Sequence, residues 1–337
     1  MRADPAHLLT DLLRQVSRSF YITLRVLPRS VRTQIGLAYL LARATDTVAD
    51  TEIVPIKQRL DALSRLRERI LGSSAAPIDF GELARQQGSP PERILLLRIE
   101  EALELLSHCS EQDRALIREV LQTIISGQEL DLIRFGGASV ENISILGTDP
   151  ELDDYTYRVA GCVGEFWTKM CRTHLFPNAP LDDAGLLAEA VRFGKGLQLV
   201  NILRDIPSDL RQGRCYIPRE RMAAAGLEPN DLLTPDNEPR FRPLYSTYLD
   251  LASAHLSAGW DYTNRVPRSC IRLRLACAWP ILIGVRTLAR LHTQNVLDPG
   301  RRIRISRAEV RSVIFRTVAL YPWPRSWQRL FARAASA

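Results

Sequence analysis

The sequence predicts an all-α fold. Apolar residues recur at helical spacing along nearly the whole chain, and no convincing alternating strand pattern interrupts them. Leu, Ala, Ile and Arg are abundant while aromatics make up only 7% of the 337 residues, a mixture that favours helix. With 46% apolar residues the chain can build a sizeable core, and no repeat, low-complexity tract or composition break divides it. The expectation is a single all-α domain over residues 1–320, its helices arranged around a central cavity, with a basic amphipathic tail over 321–337.

Taken in order, the helical period is carried by residues 18–27, 31–49, 55–71, 92–107, 111–135, 150–174, 181–206, 239–264, 268–293 and 306–319. The segments GSSAAP (72–77), GSPP (88–91), GGAS (136–139) and PDNEPR (235–240) have the glycine, proline and small polar residues of turns. Leu275 to Val285 is an uncharged apolar run of eleven residues between Arg274 and Arg286. A membrane span needs about 20, so a buried helix segment is expected there. Gly194-Lys195-Gly196 falls inside a helical period, follows no strand and lacks a third glycine. Close helix packing explains it better than dinucleotide binding.

Charge is distributed unevenly. From Arg265 onward there are 15 Arg, no Lys, one Asp and one Glu, a net +13, which leaves −6 for the preceding 264 residues of a chain with a total of +7. The C-terminal part is therefore expected to face an anion such as a diphosphate, a nucleotide phosphate or an acidic membrane surface, or else to be a solvated basic face. No nucleic-acid partner is expected. The six cysteines (109, 162, 171, 215, 270, 277) form neither a CxxC pair nor a Cys/His cluster, which fits reduced thiols. The opening MRADPAHLLTDLLRQ is broken by charge and lacks the signal-peptide pattern, so a cytoplasmic location is expected, with contact to the inner face of the membrane through the C-terminal tail as one alternative.

Two groups of polar residues carry chemistry. Asp46 and Asp50 stand four residues apart, on one helix face, with Arg43 sharing that face. Carboxylates so close repel unless a cation lies between them, and Mg²⁺ binds one or two carboxylates together with substrate phosphates. The Arg43 guanidinium fork suits a phosphate. A second group lies in LQLVNILRDIPSD, where Asn201, Asp205 and Asp209 recur every four residues, with Arg204 adjacent and Gln198 three residues earlier. Apolar flanks predict a polar stripe along a helix that is otherwise buried, and Pro207 is expected to interrupt or kink that helix before Asp209. Facing one another across a cavity, the two pairs would hold metals and a diphosphate leaving group, and so promote ionisation to an allylic cation.

These residues are similar to the motifs of the squalene and phytoene synthase family. Ser17-Arg18-Ser19-Phe20 with Leu27-Pro28 resembles the family's opening motif. Tyr39, Arg43, Asp46 and Asp50 resemble its first aspartate-rich helix, and Tyr155 with VAGCVG (159–164) its central segment. Gln198, Asn201, Arg204, Asp205 and Asp209, followed by GRCYIP (213–218), resemble its second aspartate-rich signature. The likeness is collinear from about residue 15 to 310. It implies the isoprenoid synthase fold and a Mg²⁺-dependent prenyltransferase in which one allylic diphosphate ionises and the double bond of a second attacks the cation. Asp46, Asp50, Asp205 and Asp209 would bind metal; Arg18, Arg43 and Arg204, with Gln198 and Asn201, would hold the substrate. Tyr39 and Tyr155 would lie near the reacting carbons, either steadying positive charge or removing a proton. The family often has a third carboxylate where this chain has Ala49.

The resemblance extends to the product. LACAWPILIGVRTLARL (275–291) resembles the apolar helix of a second, reductive step, and the basic stretch after it, with Arg302 and Arg304, resembles a site for NADPH phosphate. Two farnesyl diphosphates would then pass through presqualene diphosphate to squalene. Release of presqualene diphosphate, synthesis of phytoene or dehydrosqualene, or a non-catalytic binding role are the alternatives. Ala276 replaces an aromatic often found in that helix. In the tail, Trp323, Trp327 and Phe331 recur every four residues, as do Arg325, Arg329 and Arg333. Such a helix either lies in a membrane interface or docks its aromatics on the helical core.

Overall fold

The computed structural model describes residues 8–17, 20–300 and 302–336. The main helices are α1 (Arg29–Asp50), α2 (Ile56–Leu71), α3 (Pro90–Leu97), α4 (Ile99–Ser107), α5 (Glu111–Phe135), α6 (Asp149–Thr156), α7 (Cys162–Leu175), α8 (Asp183–Arg211), α9 (Glu238–Arg265), α10 (Ile271–Thr293), α11 (Arg307–Leu320) and α12 (Pro324–Ala335). The only sheet among the described residues is a parallel pair of two-residue strands, β1 (Ser144–Ile145) and β2 (Arg214–Cys215). The all-α expectation holds, and the helix bounds follow the predicted ones closely. The chain divides into two compact units, one comprising residues 1–136 and 166–179, the other 137–165 and 180–337.

In the first unit, α5 packs against α1 and α2. Its start is fixed by Ser110, whose hydroxyl accepts from the Asp113 amide at 3.1 Å. Its buried face runs through Ile117, Leu121, Ile124, Gln128 and Leu132, the 3–4 spacing of a helix stripe. Gln128 is the polar exception in that stripe. α2 ends at Gly72, which adopts φ +82 and returns its amide to the Glu68 carbonyl. Arg59 on α2 is buried and donates to the Ala49 carbonyl at 2.7 Å, which anchors the end of α1.

The second unit is built on α8, with α9 packed along it and α10 against both. Glycine lets α8 approach the segment around residues 160–164 closely. A Cβ on Gly194 would come within 2.2 Å of the Ala160 carbonyl oxygen, and one on Gly164 within 2.0 Å of that of Ala190. The Gly194-Lys195-Gly196 segment is thus a packing feature, as expected.

Pro207 does not end α8. The helix continues to Arg211 and carries Asp209 with it. Proline has no N–H, so the Leu203 carbonyl four residues earlier loses its helical partner. The buried Tyr245 hydroxyl on α9 donates to that carbonyl at 3.0 Å. The gap in the ladder is closed from a neighbouring helix, at a site where an unsatisfied carbonyl would cost about 1–3 kcal/mol.

At the C-terminus, α11 begins with a capping box between Ser306 and Glu309. In α12, Trp327 is buried, stacks on Trp260 with centroids 5.3 Å apart, and donates its indole N–H to Asn264 at 2.8 Å. Phe331 lies against Trp260 at 6.1 Å. Trp323 remains 60% exposed. Two of the three tail aromatics are thus docked on the core. The Leu275–Val285 run is a largely buried part of α10, and among the described residues no helix is long and apolar enough to cross a membrane.

Candidate active site

The first acidic pair sits at the C-terminal end of α1, following a face that begins with Tyr39. The Tyr39 ring stacks on Phe20 at 5.0 Å. Arg43 lies 3.9 Å from Asp46 and forms a tighter ion pair with Glu92 at the start of α3. Gln128 of α5 donates its side-chain amide to Oδ1 of Asp46. Three separate helices therefore position this cluster. Asp50 lies one turn beyond Asp46 and is exposed.

Electrostatics mark Asp46 out. Burial, followed by the charge of Asp50, pushes its carboxyl from the ordinary 3.8 up to about 7, while Arg43 and the Gln128 amide pull the other way. The side chain keeps 44% of its surface open, so water moderates the push. An oxygen-ligated cation beside Asp46 and Asp50 would relieve that repulsion. Among the described residues no group of three or more His, Cys, Asp or Glu side chains forms a ready metal cage. Two carboxylates completed by phosphate oxygens and water are what a Mg²⁺ site of this kind requires. At the place of the absent third carboxylate, Ala49 is buried.

The second group lies on α8 and is local. Arg204 forks onto its neighbour Asp205, donating from Nε at 2.9 Å and from Nη2 at 2.5 Å. Asn201 reaches Gln198 at 3.5 Å. The expected buried stripe is not buried. Leu199, Val200, Ile202 and Leu203 are, whereas Asn201 is exposed and Gln198, Arg204, Asp205 and Asp209 are half-buried. The apolar flanks face the core, so the polar stripe is the open side of the helix and avoids the desolvation cost expected for it. Tyr155 of α6 is buried and stacks on Tyr216 at 4.8 Å, which gives GRCYIP a structural role beside the central segment. Gly213 opens that motif at φ +76, where a Cβ would collide with Ser139 backbone. After Tyr155 the backbone makes a π-helical turn from Tyr157 to Gly161.

Arg18 lies outside the described residues. Arg302 and Arg304 are exposed on either side of the buried Ile303, which pins the basic stretch so that both guanidinium groups face solvent. Glu92 and Gln128 were not anticipated. Gln128 could have been found as the polar member of an apolar stripe; nothing in the sequence ties Glu92 to Arg43.

The squalene/phytoene synthase family model matches residues 13–309. The chain belongs to this family. Its relatives include a bifunctional lycopene cyclase/phytoene synthase of Blakeslea trispora, 32% identical over 62% of this chain and 32% of the fungal protein. A presqualene diphosphate synthase of Rhodopseudomonas palustris is 29% identical, covering 75% of this chain and 77% of the relative. The squalene synthase of Saccharomyces cerevisiae is 27% identical over 87% of this chain and 63% of the yeast protein. The chain thus spans about a third of the Blakeslea protein and less than two thirds of the yeast one.

Among solved structures, TcSQS with the ligand E5700 superposes with a TM-score of 0.78 at 19% identity, covering 99% of this chain and 98% of that one. The squalene synthase HpnC from Alicyclobacillus acidocaldarius gives 0.62 at 20% identity, over 86% and 94%. These likenesses show the isoprenoid synthase fold of squalene synthases. Members of the family are prenyltransferase-like synthases of isoprenoid biosynthesis, which bind farnesyl diphosphate and use Mg²⁺ to ionise a diphosphate.

Proposed function

We propose that this protein joins two farnesyl diphosphates head to head and reduces the resulting presqualene diphosphate to squalene with NADPH. The observation that carries the reading is the duplicated chemistry of α1 and α8: each presents an aspartate pair with an arginine at the same helix surface. Asp46 and Asp50 on α1, and Asp205 and Asp209 on α8, would each hold Mg²⁺, which would supply positive charge to offset that building up on a departing pyrophosphate. Arg43 and Arg204 hold phosphate oxygens, with Gln198, Asn201 and Arg18 completing the grip on the substrate. Tyr39 and Tyr155, each held by ring stacking, present π-faces that steady the allylic cation while the second double bond attacks it. Loss of a proton then closes the cyclopropane, with the hydroxyl of Tyr39 or Tyr155 as the candidate base.

The reductive half rests on Arg302 and Arg304, whose exposure to solvent supports a role in meeting the NADPH phosphate. Ala276 favours a second reading, release of presqualene diphosphate without reduction. It is buried in α10 and offers only a methyl group where an aromatic would wall the second-step pocket.

The test is to supply purified protein with farnesyl diphosphate and Mg²⁺, with or without NADPH, and identify the lipid. Squalene only in the presence of NADPH supports the proposal. Presqualene diphosphate in both samples selects the second reading, phytoene made from geranylgeranyl diphosphate points to carotenoid synthesis, and no condensation product from either substrate leaves a binding role.

A further inference from the structure

A groove of about 380 Å³ opens between α10, α11 and α12, and none of the site residues assigned above lines it. Its walls include Leu282, Val313 and Leu330, and into it come Arg286, Arg316 and Arg333, one from each helix. No carboxylate lines it. Other arginines nearby are neutralised or tied down: Arg290 pairs with Glu309 at 2.7 Å, and Arg274 donates to Asn264 at 2.8 Å. Arg286 has its Nε buried without a hydrogen-bond partner, as Arg274 does, but unlike the other two it forms no ion pair or side-chain hydrogen bond among the described residues. Three like charges around one small cavity repel each other, and an anion placed among them would remove the repulsion.

The rim is apolar and wet. Phe315 on the groove is 73% exposed; further along, Val318 and Trp323 are 51% and 60% exposed. Free phosphate would satisfy the arginines and leave these side chains in water. A charged headgroup with acyl chains beside it would satisfy both. Since Trp327 is docked on Trp260, the aromatic face of α12 is already occupied, and the exposed apolar residues lie instead on α11 and the turn after it. We propose that this groove binds the phosphate of an anionic phospholipid and seats α11 and α12 on a negatively charged bilayer. A water-insoluble prenyl product would benefit from such a seat.

The test is flotation of the full-length protein, without substrate, on phosphatidylcholine vesicles with or without phosphatidylglycerol. Binding should require phosphatidylglycerol. Each groove arginine removed should weaken it about fivefold, so that R316Q/R333Q loses roughly 25-fold, and F315S should weaken it further. The double variant R311Q/R325Q removes equal charge outside the groove and should cost less. Equal losses from the two double variants would overturn the groove in favour of diffuse attraction. Equal binding to neutral vesicles, or no binding to either kind, would also overturn it, as would complete displacement by millimolar inorganic phosphate. Thermal unfolding of each variant, unchanged from wild type, ensures that a loss reports on the surface.

Discussion

The two acidic helices carry similar residues and are supported in different ways. On α1 the cluster depends on contacts distant in sequence: Glu92 on α3 holds Arg43, and Gln128 on α5 holds Asp46. On α8 the arginine and aspartate are adjacent residues that grip each other directly. Burial and the charge of Asp50 drive Asp46 up to about 7 in the first pair, against the pull of Arg43 and Gln128. Local support leaves the second as the open stripe of a long helix, whose continuity depends in turn on Tyr245. Similar motifs can thus be either tertiary or local devices, and mutations should distinguish them.

The largest difference should come from the arginines. If Arg43 and Arg204 hold phosphate as proposed, Arg43→Gln and Arg204→Gln should each raise KM for farnesyl diphosphate about 10–100-fold. Glu92→Gln should reproduce part of the Arg43 effect by freeing the guanidinium group; α8 has no counterpart to it. Steady-state kinetics on the three variants checks this, and an unchanged KM in Glu92→Gln would make α1 as local as α8.

A smaller effect, on stability, tests α8 alone. Tyr245→Phe strands the Leu203 carbonyl and should cost about 1–3 kcal/mol in denaturant unfolding. Pro207→Ala restores an N–H for that carbonyl, so Tyr245→Phe should cost much less in its background. Full additivity of the two changes would show that the tyrosine does not substitute for the missing amide.

The smallest effect is the pH dependence of α1. Because the folded chain raises Asp46 from 3.8 towards 7, it holds a proton there that the unfolded chain has released. In the absence of metal this contribution to stability is therefore present below about 3.8 and lost as pH rises through about 7. Mg²⁺ competes with the same proton, so its affinity should increase up to about pH 7, by less than tenfold per unit, with proton release on binding. Calorimetry in buffers of different ionisation enthalpy would detect that release in the wild type and find it missing in Asp46→Asn.

Much of this architecture is readable before the fold is known. Helical spacing, the Ser306–Glu309 box and the Gly72 stop lie within a few residues of where they act, so they place helix ends well. Both aspartate pairs are visible for the same reason. What escapes is tertiary. Pro207 reads as a break because the Tyr245 hydroxyl that repairs it lies 38 positions away in sequence and beside it in space. The α8 stripe reads as buried because apolar flanks indicate where the core is without showing that the polar side stays open. Tail periodicity fits a membrane or a core equally well, and Trp260 decides for Trp327.

We propose that α1 and α8 both serve diphosphate ionisation. Pyrophosphate release from farnesyl diphosphate under saturating Mg²⁺, compared among wild type, Asp46→Asn and Asp205→Asn, tests it most directly. The account predicts a loss of about 100-fold or more in each variant, with the fold intact by circular dichroism. Wild-type release from either variant would contradict it.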